Sequence, residues 1–349
     1  MPAMPTAHRI TKDKYFDRAT MRRLSHTAAD AALAGREGGA GREAGESVGA
    51  AIDRAARALK SARVHFGHGT ITARDEAAEL VFFVAGLDHG LGSSVYSKRL
   101  SARRSSRVDA LLARRIGERI PLPYLTRRAF FAGLELYVDE RVLVPRSPIA
   151  ELVMQRFRPW VDARRVRRIL DIGTGSGAIA LACAMAFPKA RVDAVDVSAA
   201  ALQVARRNLR RLNLEKRVRV LHSNYFDAVE GRRYDIIVSN PPYVGRAEMR
   251  RLPREYGHEP RIGLASGADG LDSVRAIFAG ARRHLASDGI LVVEVGNTES
   301  TLLHAFRGLP FVWPEIAMGG GGVFLLRARD LDAGPVDDAG ARGRRGLRT

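Results

Sequence analysis

The chain has 349 residues, of which 46% are hydrophobic and 27% are charged. At about 100–200 residues per domain, this length favours two domains, each able to bury a core. No apolar run approaches the roughly 20 residues needed to cross a bilayer, and the N-terminus lacks the apolar stretch of a secretory signal. The sequence therefore predicts a cytoplasmic protein without a membrane span. The single cysteine, Cys183, excludes an internal disulfide and a cysteine-rich metal site.

The formal net charge is +19. Such an excess of positive charge attracts polyanions such as RNA and makes their binding sensitive to salt. Nearly all the basic residues are arginine, and alanine and glycine are abundant, so a compositional bias unrelated to binding is the alternative explanation. The charge indicates a tendency to contact nucleic acid, but it identifies no substrate.

The first part of the chain predicts a small helical domain over residues 21–118. Apolar and charged residues recur there at helical spacing in four segments, at residues 21–30, 50–63, 74–86 and 101–117. Residues 1–20 are polar and basic without periodicity, which predicts a disordered N-terminus. Residues 34–49 are rich in Gly, Ala, Arg and Glu, which predicts a flexible insertion in the helical domain.

Residues 119–165 predict a β-hairpin that links the helical domain to the rest of the chain. The stretch 129–145 is dense in aromatic and β-branched strand formers. Gly133 and residues 139–141 interrupt it, and prolines punctuate its exit. These features predict two short strands and a turn rather than a helix.

From residue 166 the pattern alternates between strands and helices. Candidate strands cover residues 168–172, 191–195, 218–222, 234–239, 289–295, 311–317 and 323–327. Helical patterns fill the gaps at residues 178–187, 199–212, 273–286 and 298–307. This alternation predicts an α/β domain over 166–329, with a seven-stranded, mostly parallel Rossmann-like sheet covered on both faces. The last two strands are separated only by glycines 319–322, so they are predicted to pair as an antiparallel hairpin. Residues 330–349 predict a disordered basic tail.

A glycine-rich loop follows the first strand, with the sequence Leu-Asp-Ile-Gly-Thr-Gly-Ser-Gly-Ala at residues 170–178. Gly173, Gly175 and Gly177, with Thr174 among them, let the backbone turn tightly and approach a ligand closely. The spacing of Gly173, Gly175 and Ala178 also satisfies the dinucleotide pattern, so a nicotinamide cofactor is the alternative to S-adenosylmethionine.

Polar residues at the ends of three strands favour S-adenosylmethionine. Asp171 ends the first strand, where its charge suits the ammonium group of that cofactor and would repel a pyrophosphate. Asp196 ends the second strand and is expected to accept hydrogen bonds from the ribose, although it could instead cap the next helix. Asn224 follows the third strand, where methyltransferases often carry an acid, and its amide oxygen is expected to contact adenine. The terminal antiparallel hairpin, which class I methyltransferases use, supports the same cofactor.

The fourth strand ends in Asn240-Pro241-Pro242-Tyr243, the most specific motif in the chain. Ligands in open α/β sheets bind beyond the carboxyl ends of strands, so Asn240 is expected to project towards the methyl donor. The two prolines fix the backbone and remove two N–H donors, which leaves bare carbonyls in the site. Asn240 and Pro241 are therefore predicted to accept the two N–H groups of a planar amide or amine and orient its nitrogen for methylation. Tyr243 is predicted to stack on the planar group.

The motif alone leaves the acceptor open between an adenine N6 nitrogen and a glutamine amide nitrogen. The stretch at residues 131–151, the glycine loop, Asn-Pro-Pro-Tyr, and the runs at 252–260, 267–272 and 294–296 together resemble the protein-(glutamine-N5) methyltransferase family over roughly residues 50–328. The resemblance implies that Asp171, Gly173, Gly175 and Asp196 hold the cofactor. It implies equally that Asn240, Pro241 and Tyr243 hold the glutamine.

Within that family, members that act on release factors usually read Pro-Arg-Pro-(Asp/Glu)-Thr-Glu after the hairpin. Here Pro-Arg-Ser-Pro-Ile-Ala-Glu stands at residues 145–151, and with Phe-Gly-His-Gly-Thr at 66–70 it resembles the branch that modifies large-subunit ribosomal protein L-three. The resemblance implies that this protein, free or in a 50S assembly intermediate, is the partner. The excess of positive charge predicts in addition a contact with rRNA through the basic surface. The helical domain would grip the protein substrate.

The sequence leaves the roles of several residues open. Arg146 and Glu151 are expected to shape the site entrance, although a purely structural ion pair is the alternative. His65, His68 and His89 lack metal-ligand spacing, so no metal site is expected.

A release-factor glutamine methyltransferase and an adenine N6 methyltransferase acting on RNA or DNA are the alternative enzymes. An RNA-binding assembly factor with an idle site is the rival from another class.

Overall fold

A computed structural model describes residues 45–88, 92–317 and 319–332. The predicted segment 1–20, the helix predicted over 21–30, His89 and most of both the insertion 34–49 and the tail 330–349 lie outside the described residues. Residues 48 and 49 of the predicted insertion belong to the first described helix, and residues 330 and 331 of the predicted tail belong to a short 3-10 helix. In the part of the chain described, no helix is long and apolar enough to cross a membrane.

The described residues up to 126 form four α-helices and the 3-10 helix Ser93–Ser97. The α-helices are α1 (Val48–Ser61), α2 (Ala73–Ala85), α3 (Ala102–Gly117) and α4 (Leu122–Thr126). The first three begin after a hydroxyl side chain, supplied by Ser47, Thr72 or Ser101, that accepts a backbone N–H of the first turn. Their buried apolar residues form a hydrophobic cluster of their own. The bounds of α1, α2 and α3 agree with the helices predicted over 50–63, 74–86 and 101–117 to within two residues.

The predicted hairpin is present but shorter than residues 129–145. Strands β1 (Ala129–Phe131) and β2 (Leu134–Leu136) pair antiparallel around Ala132 and Gly133, which adopt positive φ angles of 48° and 80°. Positive φ at both turn residues matches the right-handed twist of paired strands. A further helix, α5 (Ile149–Met154), lies before the main sheet. Helices α4 and α5 were not predicted, because each has too few turns to show a 3.6-residue period.

The main sheet has six strands in the order β5-β4-β3-β6-β7-β8. Its strands are β3 (Arg168–Ile172), β4 (Arg191–Asp196), β5 (Val218–His222), β6 (Tyr234–Ser239), β7 (Leu285–Glu294) and β8 (Val323–Arg327). The connecting helices are α6 (Ala178–Ala186), α7 (Ala199–Arg211), α8 (Arg246–Met249), α9 (Asp272–His284) and α10 (Glu299–Ala305). All neighbouring strands are parallel except β8, which pairs antiparallel with β7. The predicted α/β fold with a terminal antiparallel pair is confirmed.

The strand predicted over residues 311–317 is reduced to one antiparallel bridge between Val312 and Leu325. Each of these residues donates its N–H to the carbonyl of the other, at 3.1 and 2.8 Å. Two residues further on, Pro314 has no N–H to continue the ladder. The direction of pairing agrees with the predicted hairpin, but proline limits its length.

The sheet separates two hydrophobic clusters. Along β3, Ile169 belongs to one cluster and Leu170 to the other, as expected for a strand whose successive side chains point to opposite faces. Helix α6 packs on the first face, and α9 on the second. Both faces of the sheet are therefore covered by helices, and the ends of its strands are the places where a ligand can bind.

Buried charges join the helical region to the segment after β6. The Arg115 guanidinium is 1% exposed and donates to Glu76, at 2.6 Å from Nε, and to the carbonyl of His65, at 2.7 Å from Nη2. It also lies 3.3 Å from Glu255, whose carboxylate accepts the N–H of His65. Glu255 lies in the 3-10 helix Arg254–His258, immediately before residues that line the site.

Candidate active site

A cavity of about 360 Å³ lies at the carboxyl ends of β3, β4 and β6, where an open α/β sheet binds its ligands. Apart from Phe131, the described residues that line the cavity belong to six segments. These are parts of 172–179, 195–201, 223–225, 240–242, 141–147 and 260–273. The first three segments follow β3, β4 and β5, and the fourth follows β6. The sequence predicted these four segments, whereas most of the last two were not named.

The glycine loop forms a cradle for a ligand at one end of the cavity. Gly173 and Gly175 adopt positive φ angles of 71° and 54°, and a Cβ added to either would meet no atom within 4 Å. The space beside both backbones is therefore open towards the cavity that they line. Gly177 has a different role, since a Cβ there would lie 3.2 Å from Leu181 and 3.4 Å from Ala205. It brings α6 close to α7 and does not line the cavity.

Asp171 lies beneath this loop and is fully buried. One carboxylate oxygen accepts the hydroxyl of Thr174, at 2.6 Å, and the N–H of Ala180, at 3.0 Å. The other oxygen has no hydrogen-bond partner among the residues described. Burial raises the pKa of Asp171 to about 7. Asp171 is not one of the described cavity-lining residues, but a buried acceptor without a partner beside the loop fits a cofactor that carries a cationic ammonium group.

Asp196 lines the cavity at the end of β4. Its carboxylate accepts the N–H of Gly175 and the N–H of Ser198, both at 2.8 Å. Burial raises its pKa, although these hydrogen bonds oppose the shift. The residue thus links the glycine loop to the start of α7, so it both supports the loop and faces the ligand space. Asn224 also lines the cavity, and its side chain is exposed there.

We expect Asp196→Ala to weaken the binding of S-adenosylmethionine at least about tenfold, because a hydrogen bond to a charged group contributes about 1.5–3 kcal/mol. Isothermal titration with the cofactor measures the change. Asp196→Asn keeps the acceptor oxygen without the charge, and it should lose less. Equal affinity of Asp196→Ala and the parent protein would contradict this role.

Asn240, Pro241 and Pro242 line the other end of the cavity. Ser239 fixes the end of β6 by donating its hydroxyl to the carbonyl of Ile172, at 2.8 Å, which joins β6 to β3. The side-chain amide of Asn240 forms no hydrogen bond with any residue in the described ranges, and it is half-buried. Its oxygen is therefore available to a ligand, at the position that the motif predicted.

Tyr243 is held on both sides but is not among the described residues that line the cavity. Its hydroxyl donates to Glu294, at 3.1 Å, and a Cβ at Gly296 would lie 2.6 Å from its ring. Gly296 has a positive φ of 47°, so glycine suits this position on both counts. The ring orientation is thus set by Glu294 and Gly296 before any ligand binds.

The sequence assigned Glu294 no role beyond the resemblance of residues 294–296 to the family. Glu294 lies at the carboxyl end of β7, as Asp171 and Asp196 lie at or near the ends of their strands. The carboxylate is 5% exposed and accepts the hydroxyls of Tyr243 and Ser147. Burial raises its pKa to about 7, against the effect of both hydrogen bonds. The position at the carboxyl end of a central strand was the signal that could have identified it.

The raised pKa of Glu294 predicts a stability that depends on pH. The folded state holds the proton more tightly than the unfolded chain, so this contribution is complete below pH 4.5 and is lost as the pH rises through about 7. The shift corresponds to about 3 kcal/mol. We expect the free energy of unfolding in urea to fall less steeply over this range for Glu294→Gln than for the parent protein. Glu215→Gln, at an exposed position, should keep the parent slope; equal slopes for all three proteins would contradict the assignment.

Arg146 lines the cavity, but its ionic partner is Glu259 rather than Glu151. Its guanidinium donates to both Glu259 oxygens, at 2.7 Å from Nη2, and it lies 5.3 Å from the ring centroid of Tyr256. Glu259 also accepts the N–H of Val144, at 3.1 Å. Burial opposes ionisation of Glu259, but the neighbouring His68 and Arg146 outweigh it and lower its pKa to about 2.

Glu151 does not shape the cavity wall in the described structure. Its carboxylate accepts the N–H of Ala317, at 3.1 Å, and the side-chain amide of Gln155, at 2.9 Å. His68 is 2% exposed and lies 3.6 Å from Glu259, and it packs on Tyr256. In the described ranges, no group of three or more His, Cys, Asp or Glu residues is arranged to hold a metal ion.

The known proteins to which this chain is similar are methyltransferases. The methyltransferase small domain family matches residues 150–252. The ribosomal protein uL3 glutamine methyltransferase of Francisella tularensis subsp. tularensis is 41% identical over 269 residues, which cover 77% of this chain and 86% of that protein. The protein of the same name from Xanthomonas campestris pv. campestris is 45% identical over 275 residues, covering 79% and 89%. A methyltransferase structure from Pyrococcus furiosus is 22% identical, with a TM-score of 0.42, over 56% of this chain and 89% of that one.

Proposed function

Because this chain belongs to the ribosomal protein uL3 glutamine methyltransferases, we propose that it transfers a methyl group from S-adenosylmethionine to the side-chain amide nitrogen of a glutamine in uL3. The predicted family, which was inferred from motifs distributed over residues 50–328, is confirmed by these relatives. Membership also excludes the nicotinamide alternative. The large-subunit protein predicted as L-three is the one named in the relatives.

The observation that carries the proposal is the open amide of Asn240 beside Pro241 at the cavity wall. An amide nitrogen is a weak nucleophile, because its lone pair is delocalised into the carbonyl. When the Asn240 side-chain oxygen and the Pro241 carbonyl each accept one N–H, the substrate nitrogen is held with its π face towards the methyl donor. Methylation makes that nitrogen acidic, so its proton leaves to water afterwards and no general base is needed.

S-Adenosylmethionine supplies an electrophilic methyl group when it is bound. We propose that Gly173, Gly175 and Asp196 hold it, with Thr174 fixing Asp171 beneath the loop. Two observations support this assignment, the open space beside both glycines and the unpartnered Asp171 oxygen. Contact between Asn224 and adenine is the extension of this proposal, supported by the place of Asn224 in the cavity wall.

Tyr243 and Pro242 complete the proposed glutamine pocket. Tyr243, positioned by Glu294, would face the planar amide once the substrate has bound. Arg146 would shape the entrance through its pairing with Glu259, which also holds the backbone of Val144. The helical region, predicted as a recognition domain over 21–118, would contact the rest of uL3. Its support is the packing of His65 and His68 on Tyr256, close to residues that line the cavity.

The proposed setting is the cytoplasm, where uL3 is modified either free or in a 50S assembly intermediate. The net charge of +19 supports contact with rRNA in the second case. Methylation rates of free uL3 and of uL3 bound to its rRNA fragment distinguish these substrates. A faster reaction on the RNA complex favours the intermediate.

The direct test is methylation in vitro with three acceptors, namely purified uL3, a release factor and an RNA hairpin with unpaired adenines. Mass spectrometry should place a single methyl group on one glutamine of uL3 and leave the other two acceptors unchanged. Methylation of the release factor or of adenine in place of uL3 would overturn the substrate assignment. The assignment of the protein as a methyltransferase would remain. Failure to bind labelled S-adenosylmethionine would instead support the assembly factor with an idle site.

A further inference from the structure

Arginines mark the amino end of the sheet, which is the edge opposite the cavity. Each strand from β3 to β7 begins at an arginine or within two residues after one, and these are Arg168, Arg191, Arg217, Arg233 and Arg283. The strands are parallel, so all these positions lie at one edge. Strands β3 to β6 have five or six residues, which places this edge about 17–20 Å from their carboxyl ends.

Backbone pairing and one side-chain contact show that four of these arginines begin neighbouring strands. Arg168 and Arg191 are paired in register across β3 and β4. The carbonyl of Arg217 accepts the N–H of Val192, at 2.9 Å, and the Arg233 guanidinium donates to the carbonyl of Leu285, at 3.0 Å. The row therefore crosses five neighbouring strands, which spans about 19 Å at about 4.8 Å per strand.

Three of the acidic side chains at this edge are already engaged, whereas Glu215, before β5, and Glu230, before β6, are exposed. Asp162 pairs with Arg164, and Asp193 pairs with Arg219 and Arg232. Asp235 accepts the backbone N–H groups of Arg167 and Arg168. In contrast, the side chains of Arg168 and Arg191 are exposed and form no ion pair with any residue in the described part of the chain. The edge keeps a surplus of positive charge.

A second cavity of about 360 Å³ lies at the same edge, between the segment before β3 and the turn before β4. Four cationic side chains line it, those of Arg156, Arg158, Arg164 and Lys189. Its acidic residue, Asp162, is the one paired with Arg164. Guanidinium groups bind phosphate through paired hydrogen bonds, so a basic cavity within an arginine row fits a phosphate group of a polyanion.

We propose that this edge, defined by the arginine row and the cavity at residues 156–164 and 186–189, binds the phosphate backbone of RNA. The inference rests on the proposed function, because a ribosomal protein substrate brings rRNA to the enzyme. The large exposed apolar residues of the described ranges lie elsewhere, which argues against insertion into a membrane. Since the cavity for glutamine opens at the other end of the sheet, RNA and the acceptor glutamine can be held together.

The test measures anisotropy of a short fluorescein-labelled RNA hairpin titrated with the full-length protein at several salt concentrations. One variant carries Arg158→Gln, Arg168→Gln and Arg191→Gln. Its matched control loses the same charge at exposed positions of α3, through Arg103→Gln, Arg104→Gln and Arg107→Gln. We expect the edge variant to bind at least about tenfold more weakly and its slope of log affinity against log salt to fall by about two. The control should retain most of both.

Equal losses in the two variants would overturn the proposal, because net charge alone would then explain binding. No binding by the parent protein, or an unchanged edge variant, would overturn it as well. Methylation of RNA-free uL3 by the edge variant should stay at the parent rate, which shows that the protein is folded. RNA binding is measured without methyl transfer, so the binding result does not depend on whether uL3 is the substrate.

Discussion

Asn240→Ala is expected to lower the rate of methyl transfer at least about 100-fold, as for other oriented polar contacts at a reacting atom. The side chain has no hydrogen bond to lose within the described structure, so the fold should be unaffected. The effect should appear in kcat, because the contact orients the nitrogen in the transition state, while the affinity for S-adenosylmethionine stays near that of the parent.

The conservative variant Asn240→Asp separates two explanations. It keeps an acceptor oxygen in place, so part of the activity should return if the acceptor is what matters. Single-turnover methylation of uL3, followed by mass spectrometry, measures both variants. Near-normal turnover by Asn240→Ala would contradict the orientation mechanism, whatever the substrate proves to be.

Arg115→Ala is expected to lower the free energy of unfolding by about 3–5 kcal/mol, because it removes one partner from a buried ion pair. Glu76 would lose the cation at 2.6 Å, and Glu255 would lose one of its donors. The neighbouring Arg114 pairs with Glu118 in solvent, so Arg114→Ala should change stability little. Urea unfolding of both variants measures the difference. Equal midpoints would show that the buried charges do not hold the helical region to the segment after β6.

The sequence was sufficient for elements whose own residues carry the pattern. Apolar and charged residues recur at helical spacing in α7 and α9, whereas α6 is a continuous apolar run after the glycine loop. The observed ends of these three helices differ from the predicted ones by no more than two residues. Asn240 and Asp196 could be placed in the site because each ends a parallel strand, and such ends share one edge. In these cases the local sequence and the direction of the strands determine where the helices and the site residues lie.

Contacts between distant segments could not be read in this way. Arg146 was expected to share a role with Glu151, five residues away, but it pairs with Glu259, which lies 113 residues away. The choice depends on how the segment after β6 folds back over the hairpin exit, and no local pattern reports it. The cavity wall at residues 260–273 escaped prediction for the same reason, since it is mostly loop.

Proline and side-chain packing explain the remaining differences. The residue pattern over 311–317 is typical of a strand, but Pro314 ends the pairing with β8 after one bridge. Tyr243 was expected to stack on the substrate, whereas its hydroxyl is committed to Glu294 and its ring to Gly296. Its role as a stacking partner stays a prediction, now with the residues that position it.

The central claim is that this chain methylates a glutamine of uL3 through Asn240. The most direct measurement is mass spectrometry of uL3 from cells that lack the gene, and from the same cells carrying either the parent gene or Asn240→Ala. We predict that one glutamine of uL3 loses a methyl group in the deletion strain, regains it with the parent gene and stays unmodified with Asn240→Ala. A uL3 that keeps its methyl group in the deletion strain would contradict the claim.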